Sequence, residues 1–302
     1  MAHDSRTLTL ATPPDAIVDR RASLFRETVG ERLERWTLGT AWALKPHRLA
    51  SLPPLARLFI QDSLFGDDDL PDPEQVVDPI SGACGIAHDL SPGTLTAAYR
   101  QGLFTFAHFG PPKWVSPAER CVLSFNEYRI SKNARRAMRQ GRYKVTFDRD
   151  FEGVIKACAG RRGGKWHVTW ITPRIMRAYA ALFDAGHVHS FEVWNDSGDL
   201  VGGGYGVAAG SVFSTESQFS LERDTSKIGF TVLNWHLAKW GFALNDGKWP
   251  TPTLNDMGFR CIPRAEFRAE LQRPSQPGKV GRWRVEDELE TIAAWQPKTQ
   301  TT

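Results

Sequence analysis

The sequence predicts a mixed α/β (α+β) fold with more than one segment along the chain. Three observations carry this. The chain has 302 residues, enough for two ordinary domains or one large one. An acidic, proline-rich stretch interrupts it between Asp67 and Asp78. Beyond Trp170, helical and strand periodicities alternate. With 41% hydrophobic and 24% charged residues, the composition is that of a globular protein and excludes disorder and fibrous repeats. Eleven Trp and seventeen Phe supply bulk for a core.

Residues 1–14 are polar. From Ala16 to Trp36, the residues Ile17, Leu24, Phe25, Val29, Leu33 and Trp36 recur at helical spacing and predict one amphipathic helix. Pro46, Pro53 and Pro54 are expected to break the next stretch of chain into short pieces. Asp67 to Asp78, with Pro71 and Pro73, has the composition of a solvated linker or surface loop, the linker being the preferred reading. Ser91 and Pro92 start a helix as N-cap and first helical residue, and it stops around Gly102. Ser131 to Arg139 is helical, succeeded by a break at Gly141 and a strand from Tyr143 to Phe147. Pro173 to Ala185 is a helix ended by Gly186, and Val188 to Trp194 is a strand. Leu200–Val207 and Ser211–Ser217 form a hairpin around Gly210. Next come a helix from Thr225 to Trp240, a strand near 242–246 and a helix-like segment at 253–257. Hairpin, helix and strand in this order suit an acyltransferase-type α/β core. The expected division is 1–78, extension and linker; 79–147, small domain; 148–272, catalytic-type domain; and 273–302, a peripheral tail rich in Pro, Gly and charge.

The net charge of +4 is mild, but its distribution is uneven. Arg129, Lys132, Arg135, Arg136, Arg139, Arg142 and Lys144 succeed one another with no acid between them. On a helix, Lys132, Arg135, Arg136 and Arg139 share a face, where their repulsion is relieved if phosphates neutralise it. Contact with a nucleic acid backbone is therefore expected, against the alternative of a solvated face. Cys84, Cys121, Cys158 and Cys261 are widely spaced, which fits a reduced chain and neither a disulfide scaffold nor a zinc site. No apolar run approaches the ~20 residues that span a bilayer, so no membrane partner is expected. The N-terminus lacks a secretory pattern, so a cytoplasmic protein is expected, and a monomer.

The segment Leu90-Ser91-Pro92, then Ala98-Tyr99-Arg100-Gln101-Gly102-Leu103-Phe104, resembles the opening of the leucyl/phenylalanyl-tRNA–protein transferases. Trp114-Val115-Ser116-Pro117, Thr169-Trp170-Ile171, Ala178-Tyr179 and Gly186 to Trp194 come next, in that family's order. Leu200 to Val207, Phe213 to Ser220 and Thr225-Ser226-Lys227 complete the series, over roughly residues 80–271. The resemblance implies transfer of leucine or phenylalanine from aminoacyl-tRNA to proteins beginning with Arg or Lys, marking them for degradation. It also implies a small N-terminal domain, a C-terminal domain of the acetyltransferase (GNAT) superfamily, no metal or coenzyme, and tRNA held by Lys132, Arg135, Arg136 and Arg139.

Aminoacyl-tRNA is an activated ester, so aminolysis needs orientation, loss of an amine proton and oxyanion stabilisation. No covalent nucleophile is required, and G-x-S-x-G is absent. Asp246 matches the family's catalytic aspartate, placed to accept a proton or fix the amine, while a rival account uses the tRNA's terminal hydroxyl. Two residues on, where the family usually has Gln, stands Lys248. It either stabilises an oxyanion or pairs with Asp246 and removes its basicity. The resemblance places the pocket for the transferred side chain around Gly204, Phe213, Glu216, Gln218, Phe230, Leu233, Leu237 and Asn245. Gly204 and Gln218 stand where methionine is usual, and Asn245 replaces an aliphatic residue. This predicts an enlarged, more polar pocket and a transferred residue other than leucine. Glu216 either anchors the substrate's α-amino group or holds the hairpin. Phe106, in place of a family Trp, and Trp170 are expected at the terminal adenosine. His187 and His189 alternate on a strand like a metal pair, but no third ligand is near, and core histidines are the preferred reading. Transfer to a different amine, and a non-catalytic tRNA-binding paralogue, remain as alternatives.

Overall fold

The computed structural model describes residues 20–66, 68–108, 110–161, 169–273, 279 and 281–297. The polar stretch 1–14 and the start of the expected first helix lie outside the described residues. Strands β1 (Ala83–Ile86), β2 (Phe104–Phe106) and β3 (Lys113–Val115) make a small antiparallel sheet in the order β1-β3-β2. The larger sheet contains β4 (Glu119–Ser124), β5 (Lys144–Phe147), β6 (Val188–Trp194), β7 (Leu200–Ala209), β8 (Val212–Ser220), β9 (Leu244–Asp246) and β10 (Arg260–Pro263). Its order is β10-β4-β9-β8-β7-β6-β5. The architecture is mixed α/β.

Among the described residues, β8 and β9 alone pair in parallel within that sheet, and the helix Thr225–Lys239 is the crossover that parallel strands require. Ile228, Phe230, Leu233 and Leu237 of this helix are buried against the sheet. On another side lie the helices Pro92–Arg100, Phe151–Ala159 and Pro173–Asp184, whose core includes Tyr99, Ile155 and Tyr179. Ser91 and Thr172 cap the first and last of these by accepting from the backbone N–H groups of Thr94 and Ile175.

Several expectations are corrected. Strands β4 and β5 fall inside 79–147 yet bond into the large sheet, so the small sheet's chain ends at Val115 and the large sheet begins at Glu119. The single helix expected from Ala16 to Trp36 is interrupted. Thr28 and Glu31 form a capping box that starts a separate helix, Val29–Ala43. Pro53 and Pro54 do not fragment their stretch, because they occupy the first turn of the helix Leu52–Phe65, where the missing N–H groups have no partner to lose. Asp78 is no linker residue: it is buried and accepts hydrogen bonds from the backbone N–H groups of Ile80 and Ser81. The tail is not peripheral either. Trp283 is 1% exposed and stacks on His189 at 3.6 Å between centroids, while Ile292 and Ala293 are buried. Asp148 secures this junction, accepting from the Trp283 backbone N–H at 2.7 Å and bonding His189 Nδ1 at 2.8 Å.

Candidate active site

Between the two sheets lies a cavity of about 320 Å³. Strand β2 contributes Phe104, Thr105 and Phe106, and the chain before the Pro173–Asp184 helix contributes Thr169, Trp170 and Ile171. Strand β8 contributes Thr215, Glu216 and Ser217, and the turn after β9 contributes Gly247, Lys248 and Trp249. The walls are largely aromatic. Trp249 meets Phe104 and Phe106 edge-on at 4.9 and 5.0 Å, and Phe106 and Trp170 lie 6.5 Å apart at 29°.

Glu216 faces this space because of a bulge. Ser217 pairs with Tyr205 and Thr215 with Gly206, leaving Glu216 as the extra residue of β8. Its Oε1 accepts from the Tyr99 hydroxyl at 2.5 Å, and Tyr99 in turn meets the Tyr179 hydroxyl at 2.6 Å. Its Oε2 forms an ion pair with the Lys248 ammonium. Burial first, then the charge of Glu216, pushes Tyr99, Tyr179 and Tyr205 well above the ordinary phenol range, so they stay protonated.

Asp246 ends β9, flanked by β4 and by β8, and is 0% exposed. Arg120 of β4 donates to it from Nε at 3.2 Å and from Nη2 at 2.5 Å. Ser214 Oγ donates at 2.9 Å, and the Lys248 backbone N–H donates at 2.9 Å. These contacts fill the roughly four lone-pair positions of a carboxylate. Burial alone would raise the Asp246 carboxyl, but the Arg120 charge and hydrogen bonds prevail and hold it below its ordinary value. Arg120, 1% exposed, also donates to the Gly102 carbonyl at 2.6 Å and lies over the rings of Phe104 and Phe267. It thereby ties the large sheet to the start of β2.

Lys248 has φ +67°, in the left-handed region that side chains rarely adopt. The conformation is fixed from both ends, since its N–H bonds Asp246 and its carbonyl accepts from Cys121 N at 3.1 Å. The side-chain pairing with Asp246 that the sequence allowed is not made: the ammonium takes Glu216, a partner the sequence did not suggest, and only the Lys248 backbone reaches Asp246. Burial pulls the ammonium below its ordinary value, and the Glu216 carboxylate opposes that.

Of the expected side-chain pocket, Glu216 alone is among the described residues that line the cavity. Phe213, Phe230, Leu233 and Leu237 are buried in the core around the Thr225–Lys239 helix. Asn245 accepts from Thr215 Oγ1 at 2.8 Å and donates to Asn234 Oδ1 at 2.8 Å, so its polarity is internally satisfied. The enlarged hole at Gly204 is also corrected. A Cβ there would lie 2.7 Å from the Phe191 ring and 2.8 Å from Gln218 Cγ, so these neighbours already fill the space. Phe106, Trp170 and Lys248 do line the cavity.

The basic helix is Lys132–Arg139, capped by Ser131 and anchored by buried Ala134 and Met138. Lys132, Arg136 and Arg139 are exposed. Arg135 departs from them, donating to the Ala293 carbonyl at 2.7 Å and thereby holding the tail. Sequence reasoning misses Arg120, Ser214 and Tyr179 as site residues. Arg120 lies three residues beyond Trp-Val-Ser-Pro, but nothing local marks an arginine for burial.

A family model described as leucyl/phenylalanyl-tRNA protein transferase matches residues 122–272. A leucyl/phenylalanyl-tRNA–protein transferase of Alkalilimnicola ehrlichii is 39% identical over 249 residues, covering 82% of this chain and 96% of the relative. Its namesake in Pseudomonas syringae pv. syringae is 45% identical over 206 residues, covering 68% and 89%. A solved structure, "Crystal structure of FemX", is 11% identical with a TM-score of 0.40, covering 49% of this chain and 60% of that one. The chain is an aminoacyltransferase. It belongs to the leucyl/phenylalanyl-tRNA–protein transferase family.

Proposed function

We propose that the protein moves an aminoacyl group from aminoacyl-tRNA to the α-amine of a protein beginning with arginine or lysine. The reaction is direct aminolysis, without a covalent intermediate or a coenzyme. The observation that carries this reading is the Lys248–Glu216 pair at the floor of an aromatic-walled cavity. The amine nitrogen attacks the ester carbonyl, the carbonyl–ribose oxygen bond breaks, and the amine's proton leaves with the tRNA hydroxyl. The Lys248 ammonium donates to the oxyanion that forms. An α-amine has a pKa of about 8, so an appreciable fraction is already neutral near pH ~7.5.

Asp246 is a positioning residue in this scheme. Its carboxylate is enclosed and saturated, so its task is to hold Arg120 and the turn bearing Lys248. Phe106 and Trp170 receive the terminal adenine. Their centroids lie 6.5 Å apart with the rings inclined by 29°, and both present aromatic faces to the cavity on which a base can stack. Lys132, Arg136 and Arg139 supply backbone phosphate contacts. The parallel β8–β9 pair in an otherwise antiparallel sheet supports a GNAT-like C-terminal domain beside a small N-terminal one. Dependence on charged tRNA supports a cytoplasmic location, and no described helix is long and apolar enough to cross a membrane.

The test incubates the protein with all charged tRNAs and a peptide beginning with Arg, read by mass spectrometry. A one-residue mass increase is expected, and its size names the residue transferred, leucine or another. Tight binding of charged tRNA with no mass increase on any such peptide would sink the acceptor reading.

A further inference from the structure

Cys121 of β4 and Cys261 of β10 face each other across the antiparallel pair, in register as Cα partners. Where the Cys121 backbone makes its bonds fixes their geometry. Its N–H donates to the Lys248 carbonyl at 3.1 Å and its carbonyl accepts the Gly247 N–H at 2.8 Å, so both point toward the turn after β9. Toward β10 the position is therefore the non-hydrogen-bonded kind, where opposed Cα atoms lie about 4.5 Å apart and side chains approach closely. That spacing is within the ~4.4–6.8 Å that a disulfide bridges. The two thiols are hydrogen-bonded to each other. Their exposure differs, since Cys121 is 0% exposed while Cys261 lies exposed on the edge strand of the sheet. Burial pushes the Cys121 thiol up to about 12 and keeps it protonated, so an oxidant meets Cys261 first. Cys84 and Cys158 are buried on other elements.

We infer that Cys121 and Cys261 are an oxidative modification site, joined by peroxide into a cross-strand disulfide that displaces the turn bearing Lys248 and slows transfer. The Cys261 sulfur attacks one peroxide oxygen, the O–O bond breaks, and the departing hydroxide takes up the thiol's proton as water. The Cys121 sulfur then attacks the sulfenic sulfur, the S–O bond breaks, and a second water leaves with the Cys121 proton. The thiol pair gives up two electrons and the peroxide takes them. A dithiol reductant reverses the bond by exchange. Opposed Cβ atoms ~4.5–5.5 Å apart must close to ~3.8 Å, a draw of about 1 Å at the residue whose backbone holds Gly247 and Lys248. Misplacement on that scale costs up to ~10²-fold in rate. In a reducing compartment, transient disulfides of this kind are the usual ones. The effect on transfer rests on the reaction proposed above, whereas the bond itself does not.

The test treats the reduced full chain with hydrogen peroxide and reads its intact mass and its peptide map without reductant. Loss of the mass of two hydrogens and a peptide joining Cys121 to Cys261 are expected, both reversed by dithiothreitol. Sulfinic acid on Cys261 with no such peptide would overturn the site. On oxidation, amide hydrogen exchange at Gly247 is expected to speed up about tenfold, and transfer in the mass-spectrometric assay to slow by about as much. Cys261→Ser should keep the parent's basal rate and hold it in peroxide. A linked form whose exchange or transfer rate matched the reduced form's would refute displacement of the turn. Absence of transfer from the reduced parent would count against the proposed reaction instead, and the mass and exchange readouts would then decide this inference alone.

Discussion

Replacing Asp246 by alanine separates a positioning carboxylate from a catalytic base. The substitution removes two hydrogen bonds and the counter-charge from Arg120, which is 1% exposed and among the described residues keeps the Gly102 carbonyl as a hydrogen-bond acceptor and the Phe104 and Phe267 rings. It also strands Ser214 Oγ and the Lys248 N–H, both bonded to the carboxylate at 2.9 Å. Breaking a buried pair by deleting one partner costs about 3–5 kcal/mol. At roughly 2–4 °C per kcal/mol for a chain of this size, the melting temperature should fall by roughly 10 °C. Thermal unfolding followed by circular dichroism, run beside the mass-spectrometric transfer assay, gives both readouts. The double variant Arg120→Met, Asp246→Leu should recover part of the stability, since an apolar pair replaces a buried ionic one at little net cost. Transfer should stay low in the double variant because the turn bearing Lys248 has lost its anchor. Unchanged melting of Asp246→Ala, together with loss of the acidic limb of the pH–rate profile, would refute the reasoning and restore Asp246 as the base.

Arg136→Ala and Arg139→Ala should each weaken tRNA binding and reduce the slope of log affinity against log salt by about one, measured by filter binding across salt concentrations. Arg135→Ala should leave that slope nearer the parent's and instead lower the melting temperature, because its partner is the Ala293 carbonyl. Trp283→Ala should cost about 3–5 kcal/mol in denaturant unfolding, as expected for an enclosed tryptophan and not for a loose tail. His236 gives a pH prediction. Burial holds its imidazole below the ordinary value, against the opposing hydrogen bond to the Val232 carbonyl, while Nε2 accepts the Glu286 N–H at 2.9 Å. The unfolded chain therefore takes up the proton first. Stability is full above about pH 6.5 and falls below it by up to ~1.4 kcal/mol per pH unit, with a shallower slope expected in His236→Gln.

Much of the C-terminal half is legible in the sequence because its signals are local. The Pro173–Asp184 and Thr225–Lys239 helices and the β7–β8 hairpin lie where periodicity, caps and Gly210 indicate. The first helix escapes such reasoning because apolar spacing runs on through Thr28, whereas the capping box that splits it depends on side-chain bonds. Strand β4, with its enclosed Arg120, carries no strand alternation strong enough to notice. The tail looks peripheral because its Pro, Gly and charges are visible in the sequence, and the stacking of Trp283 on His189 is not.

The amino-acid order alone determined the series of motifs, the basic helix, and the lysine that stands two residues after Asp246. Those are properties of neighbours along the chain. Which charges neutralise each other was decided by the sheet. Arg120 and Asp246 are 126 residues apart and meet because β4 and β9 are adjacent strands. Lys248 reaches Glu216 because β9 runs parallel beside β8, whose bulge aims the glutamate into the cavity. The strand order also turned Phe213, Phe230, Leu233, Leu237 and Asn245 into the core, leaving an aromatic cavity with the Glu216–Lys248 ion pair at its floor. Electrostatic partnership depends on distance and burial in three dimensions, and only the tertiary structure supplies those.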